Sequence, residues 1–330
     1  MAQTLEVIDM ITAEALLVAH EAASFTKTIN RSYDSEFGKT GAKIGDALRI
    51  RLPARASVRT GRVMDPTDVD DDSVTLTVAT QKGVDMRFTS AEMALGVDYL
   101  SERYIRPYVQ NLISMIEYDV IQGVTPIVGN LSGTAGTAMS DLEALGNARA
   151  KLNGQAAPMR DRSIMLDSIQ MGGVVNGLKG LFQDSGQIKE AMREGFYARL
   201  AMGDLYENEK LYSMTNGSDV SGITLDTYTV TNGDADLTIT GASAAPAAGA
   251  VFTLAGYFAC HPETKQSLGY LKQFSVGSGT TTTKLVLNEP IYLSGPTQTV
   301  VTTAAATPTS ALPFVGNAST SYRQGLMYHK

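Results

Sequence analysis

The sequence predicts an α+β protein built from a charged β-hairpin, a long helix, a mixed region and a late antiparallel β-module. Residues 46 to 80 alternate polar and apolar side chains with the two-residue period of paired strands. Residues 97 to 122 repeat apolar side chains at helical spacing, and residues 225 to 310 are rich in Thr, Gly, Ala and Val. With 330 residues, of which 43% are hydrophobic, the chain is long enough for two domains or one large domain with an insertion.

The N-terminal residues 1–45 are predicted to form an arm. Residues 4 to 24 favour a helix because apolar side chains recur near the 3.6-residue period, and a polar stretch with three glycines follows over residues 26 to 45. Such a helix could reach a neighbouring molecule, or it could pack as an ordinary first helix on its own domain. The pattern favours neither arrangement over the other.

Residues 46–90 are predicted to form an extended hairpin loop with its charges sorted along it. The two alternating strands run from Leu48 to Leu52 and from Val74 to Val78. An isolated two-stranded hairpin is only marginally stable in water, so we expect this one to lie against another copy of the protein. The predicted assembly interface comprises Arg49, Arg51, Arg55, Arg59 and Arg62 on the basic arm and Asp68, Asp70, Asp71 and Asp72 at the acidic tip.

Two other interpretations of these charges are weaker. The acidic run resembles the start of a calcium-binding loop, but its sixth position is Ser73 rather than Gly and its twelfth is Ala79 rather than Glu. Nucleic acid is disfavoured because the basic arm lacks interleaved aromatic side chains and the chain carries a net charge of −7. We therefore predict ion pairs between subunits, which orient a repeated contact more than they strengthen it.

The strongest helical pattern runs from Val97 to Gln122, and we call this segment the spine helix. Pro107 is expected either to open this helix or to kink it, and Gly123 suits the position just after its end. The apolar side chains that share one face are Ile105, Val109, Leu112, Ile116 and Val120.

The region that follows mixes helix and strand signals. Helices are predicted over residues 141 to 152 and 188 to 197, a short buried strand over residues 163 to 166, and a Gly-rich turn or loop over residues 171 to 177.

The composition then shifts toward a β-module. Residues 225 to 310 hold 8 charged side chains among 86 residues, against 18% charged residues in the whole chain. Gly, Pro and Asn-Gly signals separate short strand patterns, which indicates a small antiparallel barrel or sandwich inserted over residues 225–305, with 306–330 as a return segment. The predicted strands are Tyr228 to Thr231, Leu237 to Thr240, Val251 to Tyr257, Phe274 to Val276, Lys284 to Leu287 and Thr297 to Thr302.

Patterns for catalysis or metal binding are missing from the sequence. His20, His261 and His329 lie in unrelated contexts, and Cys260 is the single cysteine, so no intrachain disulfide can form. We expect no enzymatic activity, no cofactor and no metal.

No apolar run approaches the roughly 18 to 20 residues of a membrane span, and the acidic N-terminus lacks the basic start of a secretory signal. Synthesis in a reducing cytoplasm is therefore expected, with no membrane partner.

The order of these elements resembles that of the major capsid (coat) proteins of short-tailed bacteriophages, which carry a β-barrel insertion domain in the tailed-phage capsid fold. The resemblance covers essentially the whole chain and rests on architectural patterns rather than on a catalytic signature. The residues that carry it are Asp46 to Ile50, Thr89 to Met93, Arg103 to Pro107, Ser163 to Asp167 and onward to Phe182, and Ala250 to Tyr257.

The resemblance implies an N-terminal arm, an extended loop lying across an adjacent subunit, a peripheral domain with the spine helix over 91–134, an axial domain over 135–224 and the inserted barrel. It also implies hexamers and pentamers of an icosahedral shell, with scaffolding protein and a portal, around packaged double-stranded DNA. The protein would assemble in the bacterial cytoplasm and reside in the virion. Members of the family continue beyond the insertion and return through the axial domain. Residues 322–330 resemble the start of that returning segment. The chain is therefore expected either to be a partial form or to complete its core in a different way.

Two alternative functions stay open at this point. The Thr- and Gly-rich second half also suits a phage tail, decoration or carbohydrate-binding β protein, which would form discrete small oligomers rather than very large particles. A hydrolase with a site in the mixed region would need converging titratable groups, and the sequence does not indicate any.

Overall fold

The computed structural model divides the chain into two compact units, residues 1–54 with 70–121 and residues 55–69 with 122–330. The structure describes residues 11–19, 23–30, 47–55, 58, 61–64, 66, 73–85, 101–133, 137, 139, 142–178, 203–218, 220–226, 230–303, 310–316 and 321–329. The helix predicted over residues 188 to 197 lies outside the described residues.

The first unit contains two short helices, a hairpin and the spine helix. Residues 11–19 form α1, Phe25–Thr28 form α2, and Ala47–Arg51 and Ser73–Thr77 form strands β1 and β2. A π-helical turn at Ser101–Ile105 passes into the spine helix, α3, at Arg106–Val124. Pro107 lies at this junction, where its missing N–H donor removes one bond from the helical ladder.

The described N-terminal residues pack on their own spine helix. Glu14 of α1 accepts hydrogen bonds from Ser101 Oγ at 2.6 Å and from Arg106 Nη2 at 3.5 Å. Glu117, in the middle of the spine helix, accepts hydrogen bonds from the backbone N–H groups of Ser24 and Phe25 at the start of α2.

The second unit begins with a small sheet flanked by helices. Helices α4 and α5 are Glu143–Gly154 and Ser168–Leu178, and strands β3 and β4 are Arg162–Leu166 and Asp204–Glu207. Strand β3 lies between its parallel partner β4 and the antiparallel C-terminal strand Leu326–His329. All five residues of β3 are buried, so the predicted buried strand is confirmed. The core beside this sheet comprises Leu145, Ile164, Leu166, Met171, Val174 and Leu205.

The Gly-rich turn or loop predicted over residues 171 to 177 is wrong, because these residues lie inside α5. Asp167 begins the helix by accepting a hydrogen bond from the Gln170 N–H at 2.8 Å, the arrangement of an N-cap carboxylate. Met171 and Val174 are both buried at 1% exposure. Burial of these two side chains in the core favours the helix strongly enough to offset the weak helix propensity of its glycines.

The β-module is antiparallel, as predicted, but the described strands form two three-stranded sheets rather than a closed barrel. The strands in chain order are β5 Ser213–Thr215, β6 Thr224–Leu225, β7 Asp234–Thr240, β8 Val251–Cys260, β9 Ser267–Ser275, β10 Lys284–Ile291, β11 Val300–Thr302, β12 Ser321–Arg323 and β13 Leu326–His329. One sheet has the order β10-β7-β6 and the other β11-β8-β9, while β12 pairs with β5. Register shifts interrupt the ladders of β8 with β9 and of β7 with β10, and bulges of this kind bend strands out of continuous pairing.

An apolar core lies within the module. The Phe252 ring lies between the rings of Phe274 and Phe314, with centroid distances of 5.7 and 5.4 Å. Phe252 is 0% exposed. The buried residues that surround it include Met214, Ile223, Leu225, Leu237, Ile239, Leu254, Tyr257, Leu285 and Ile291.

Replacing Phe252 by Ala should lower the free energy of unfolding by about 3–5 kcal/mol, because the truncation leaves a cavity between two aromatic rings. Chemical denaturation followed by circular dichroism measures this change. Met159→Ala is the matched control, since that side chain is 71% exposed and its loss should cost less than about 0.5 kcal/mol. Equal small effects of both variants would contradict the assignment of Phe252 to the core.

Candidate assembly surface

The two predicted strands of the hairpin pair with each other. Leu48 lies opposite Leu76 and Ile50 lies opposite Val74 in the antiparallel register. Side chains of directly opposed residues point to the same face of a two-stranded sheet. The hairpin therefore has an apolar face, which we define as Leu48, Ile50, Leu52, Val74 and Leu76, and a polar face that carries Arg49 and Arg51.

Much of the apolar face is exposed to solvent. The exposed fractions are 45% for Leu52, 52% for Val74 and 59% for Leu76. Single exposed apolar residues are common on proteins, but a cluster of this kind typically marks a contact surface.

The described arginines of the predicted interface are all exposed. Arg49 donates a hydrogen bond from Nε to Ser73 Oγ at 2.8 Å across the two strands, and Arg51 is the last residue of β1. Arg55 and Arg62 belong to the second unit. Arg59, Asp68, Asp70, Asp71 and Asp72 lie outside the described residues. The structure thus describes four of the nine predicted interface residues, all exposed, and both their common surface and their pairing with the acidic tip stay predictions.

A groove beside the spine helix was not predicted from the sequence. It has a volume of about 560 Å³ and lies between the segment that leaves the hairpin and the middle of the spine helix. Its lining residues are Gln81, Lys82, Gly83, Val84, Asn111, Leu112 and Met115. An ion pair between Lys82 and Asp119 links the same two segments. Met115 is 50% exposed. The predicted apolar face of the spine helix includes Leu112 but not Met115, so the helical pattern does not indicate this groove.

The candidate chemical residues do not converge in the described part of the chain. Among those residues, no group of three His, Cys, Asp or Glu side chains is placed to hold a metal ion. His261 Nδ1 accepts hydrogen bonds from the N–H groups of Glu263 and Thr264, and His329 Nδ1 lies 2.8 Å from the carbonyl oxygen of Arg160. His20 lies outside the described residues.

The environment of Cys260 does not activate its thiol. Burial raises the pKa of Cys260, and the positive charges of Lys265 and Lys272 lower it by a smaller amount. A thiol with a raised pKa is a weak nucleophile at neutral pH, because the thiolate is the reactive form.

None of the described helices combines the length and the apolar character needed to cross a lipid bilayer.

Comparison with known proteins identifies no family. No protein-family model matches the chain, and no curated protein sequence is significantly similar to it. Among solved structures, the chain is similar to one described as "Mycobacterium phage Che8", with a TM-score of 0.43 and 16% sequence identity. The similar region covers 57% of this chain and 70% of that chain.

Replacing Leu76 by Ser should change the free energy of unfolding of the monomer by less than about 0.5 kcal/mol, because this side chain already contacts water. Leu237→Ser is the comparison variant, since Leu237 is fully buried at 0% exposure and its loss should cost about 2–5 kcal/mol. Both values come from urea unfolding at a protein concentration that keeps the chain monomeric. A large loss of stability with Leu76→Ser would show that another part of the same chain covers the apolar face.

Proposed function

We propose that this chain is a structural, non-enzymatic protein, the major capsid subunit of a tailed bacteriophage, which self-assembles into an icosahedral shell around double-stranded DNA. The observation that carries the proposal is the solvent exposure of the apolar hairpin face, with Val74 at 52% and Leu76 at 59%. The resemblance of the element order to short-tailed phage coat proteins supports the same conclusion.

A ribbon of two strands gains stability when its apolar face is buried against another surface. Complete burial of a Val or Leu side chain contributes about 1.5–3 kcal/mol, and a side chain that is half-exposed in the monomer can still gain part of that amount. A contact with a second copy would supply this burial, and a lattice repeats the same contact in every subunit. The exposed Arg49, Arg51 and Arg55 would then fix the orientation of the hairpin on a neighbour of opposite charge.

The proposed partners follow from this role. The chain would bind other copies of itself in hexamers and pentamers, and scaffolding protein and a portal would take part in assembly. DNA would be enclosed cargo rather than a tightly bound ligand, because a chain with a net charge of −7 has little affinity for phosphate. The protein would use no cofactor, would assemble in the bacterial cytoplasm and would reside in the virion.

Reversing three charges on the basic arm tests the proposal. Arg49→Glu, Arg51→Glu and Arg55→Glu in one chain should abolish large particles and leave the monomer folded, because all three side chains are exposed. A loss of about 1.4 kcal/mol per contact raises each dissociation constant about tenfold, and the effect multiplies over a lattice. Light scattering and electron microscopy measure particle formation, and thermal unfolding measures folding of the monomer.

The matched control replaces the same three arginines by Lys, which preserves the charge and should preserve particles. Normal shells from the Glu variant would reject charge matching at the hairpin. Discrete small oligomers from the unchanged protein would instead favour the alternative of a tail, decoration or carbohydrate-binding protein.

A further inference from the structure

A buried carboxylate in the first unit joins two segments that lie far apart in the sequence. Glu117, in the middle of the spine helix, is 0% exposed. Its Oε1 accepts hydrogen bonds from the backbone N–H groups of Ser24 at 2.6 Å, Phe25 at 2.7 Å and Thr26 at 3.3 Å. Its Oε2 accepts a hydrogen bond from Ser24 Oγ at 2.9 Å. One side chain therefore satisfies several polar groups at the start of α2.

Helix α2 depends on this carboxylate for its cap. The first N–H groups of a helix have no partner within the helix, and a Ser at the N-cap position usually accepts a bond from one of them. Ser24 makes no such bond with its side chain and instead donates its hydroxyl to Glu117. Because α2 has only 4 residues, it is far too short to persist without outside contacts.

The other attachments of this segment differ in strength. Val18, Phe25 and Thr28 are buried at 1%, 5% and 5% exposure, so their side chains pack within the unit. The ion pair between Glu14 and Arg106 has a distance of 3.5 Å, and its side chains are 29% and 43% exposed. A partly exposed pair of this kind contributes little. The contact at Glu117 is buried and, unlike that pair, bonds directly to the start of α2.

We propose that Glu117 is a latch that holds residues 23–28 on the spine helix, and that its loss releases these residues as one unit. Removing the carboxylate would take away the acceptor that the N–H groups of Ser24, Phe25 and Thr26 share, and donors that lose an acceptor regain hydrogen bonds most readily by moving into water. The short helix then unfolds, and Phe25 is exposed together with its backbone. The contact lies within one chain, so the effect of its loss does not depend on whether the protein assembles.

Limited proteolysis with trypsin tests the latch at Lys27. This side chain is exposed, but it lies inside α2, and the next residue, Thr28, is buried. Cleavage after Lys27 therefore requires α2 to unfold. Glu117→Ala should increase the initial rate of this cleavage at least about tenfold, the factor that corresponds to the loss of one hydrogen bond to a charged group. Cleavage after Arg62, in an exposed loop of the other unit, is the internal reference and should not change.

Asp119→Ala is the matched control, because Asp119 lies two residues further along the same helix and forms a partly exposed ion pair with Lys82. It should leave cleavage after Lys27 unchanged. Ser24→Pro tests the same contact from the arm, since it removes the two hydrogen bonds that Ser24 donates to Glu117 and leaves the spine helix unaltered. It should raise cleavage after Lys27 less than Glu117→Ala does, because the N–H groups of Phe25 and Thr26 keep their acceptor. The latch is rejected if Lys27 stays protected in both variants, or if Asp119→Ala exposes it to the same extent.

If Glu117→Ala prevents folding of the first unit, Ser24→Pro alone decides the question. Hydrogen exchange then measures the amides of residues 23–28 and those of the spine helix in the same sample. Fast exchange confined to residues 23–28 supports the latch, and equally fast exchange in both segments contradicts it.

Discussion

Antiparallel pairing of β1 with β2 is the constraint on which the candidate surface depends. A two-stranded ribbon has two faces and no interior, so the register that joins Leu48 with Leu76 and Ile50 with Val74 gathers the apolar side chains without burying them. The same alternation places Arg49 and Arg51 on the opposite face. The exposure of these side chains is thus a direct consequence of strand geometry in a ribbon of two strands.

The β-module has an apolar core, which the two-stranded ribbon by itself cannot form. Two three-stranded sheets supply enough apolar side chains to enclose Phe252, Leu237 and Ile239 completely. Both elements use similar β-forming sequences, but the module buries its apolar side chains and the ribbon leaves several of them exposed. The contrast explains why substitutions in the two elements should affect the stability of the monomer differently.

Hydrogen bonds attach the chain that follows the spine helix to the module. Gln273 accepts a bond from the Leu131 N–H at 2.9 Å, and Ser275 donates to the carbonyl of Ile127 at 2.9 Å. Gly249, at a φ of +86°, approaches so closely that a Cβ there would lie 2.8 Å from Pro126. A substitution at Gly249 would therefore meet both a backbone conformation that other residues rarely adopt and a steric clash. The module thus supports residues 125–131 of the same unit as well as its own core.

Local patterns in the sequence predicted much of this architecture. Both hairpin strands, the spine helix, the buried strand at residues 162 to 166 and several strands of the module follow from periodicity within a few residues. The exposed positions of Arg49 and Arg51 follow from the same alternation, because the two faces of a strand are set by its period. These features depend on neighbours in the sequence, so the sequence alone was sufficient to determine them.

Other features depend on residues that are distant in the sequence, and only the tertiary structure decided them. The helix at residues 168–178 replaces a predicted loop because Met171 and Val174 are buried in a core with Leu145 and Leu205. No sequence pattern marks Glu117, yet its side chain is buried and accepts hydrogen bonds from the N–H groups of Ser24 and Phe25, more than 90 residues earlier. The groove beside Met115 and the two open sheets of the module likewise depend on contacts between residues that are distant in the sequence. Periodicity describes which face of an element is apolar, whereas the partner of that face is chosen by packing of the whole chain.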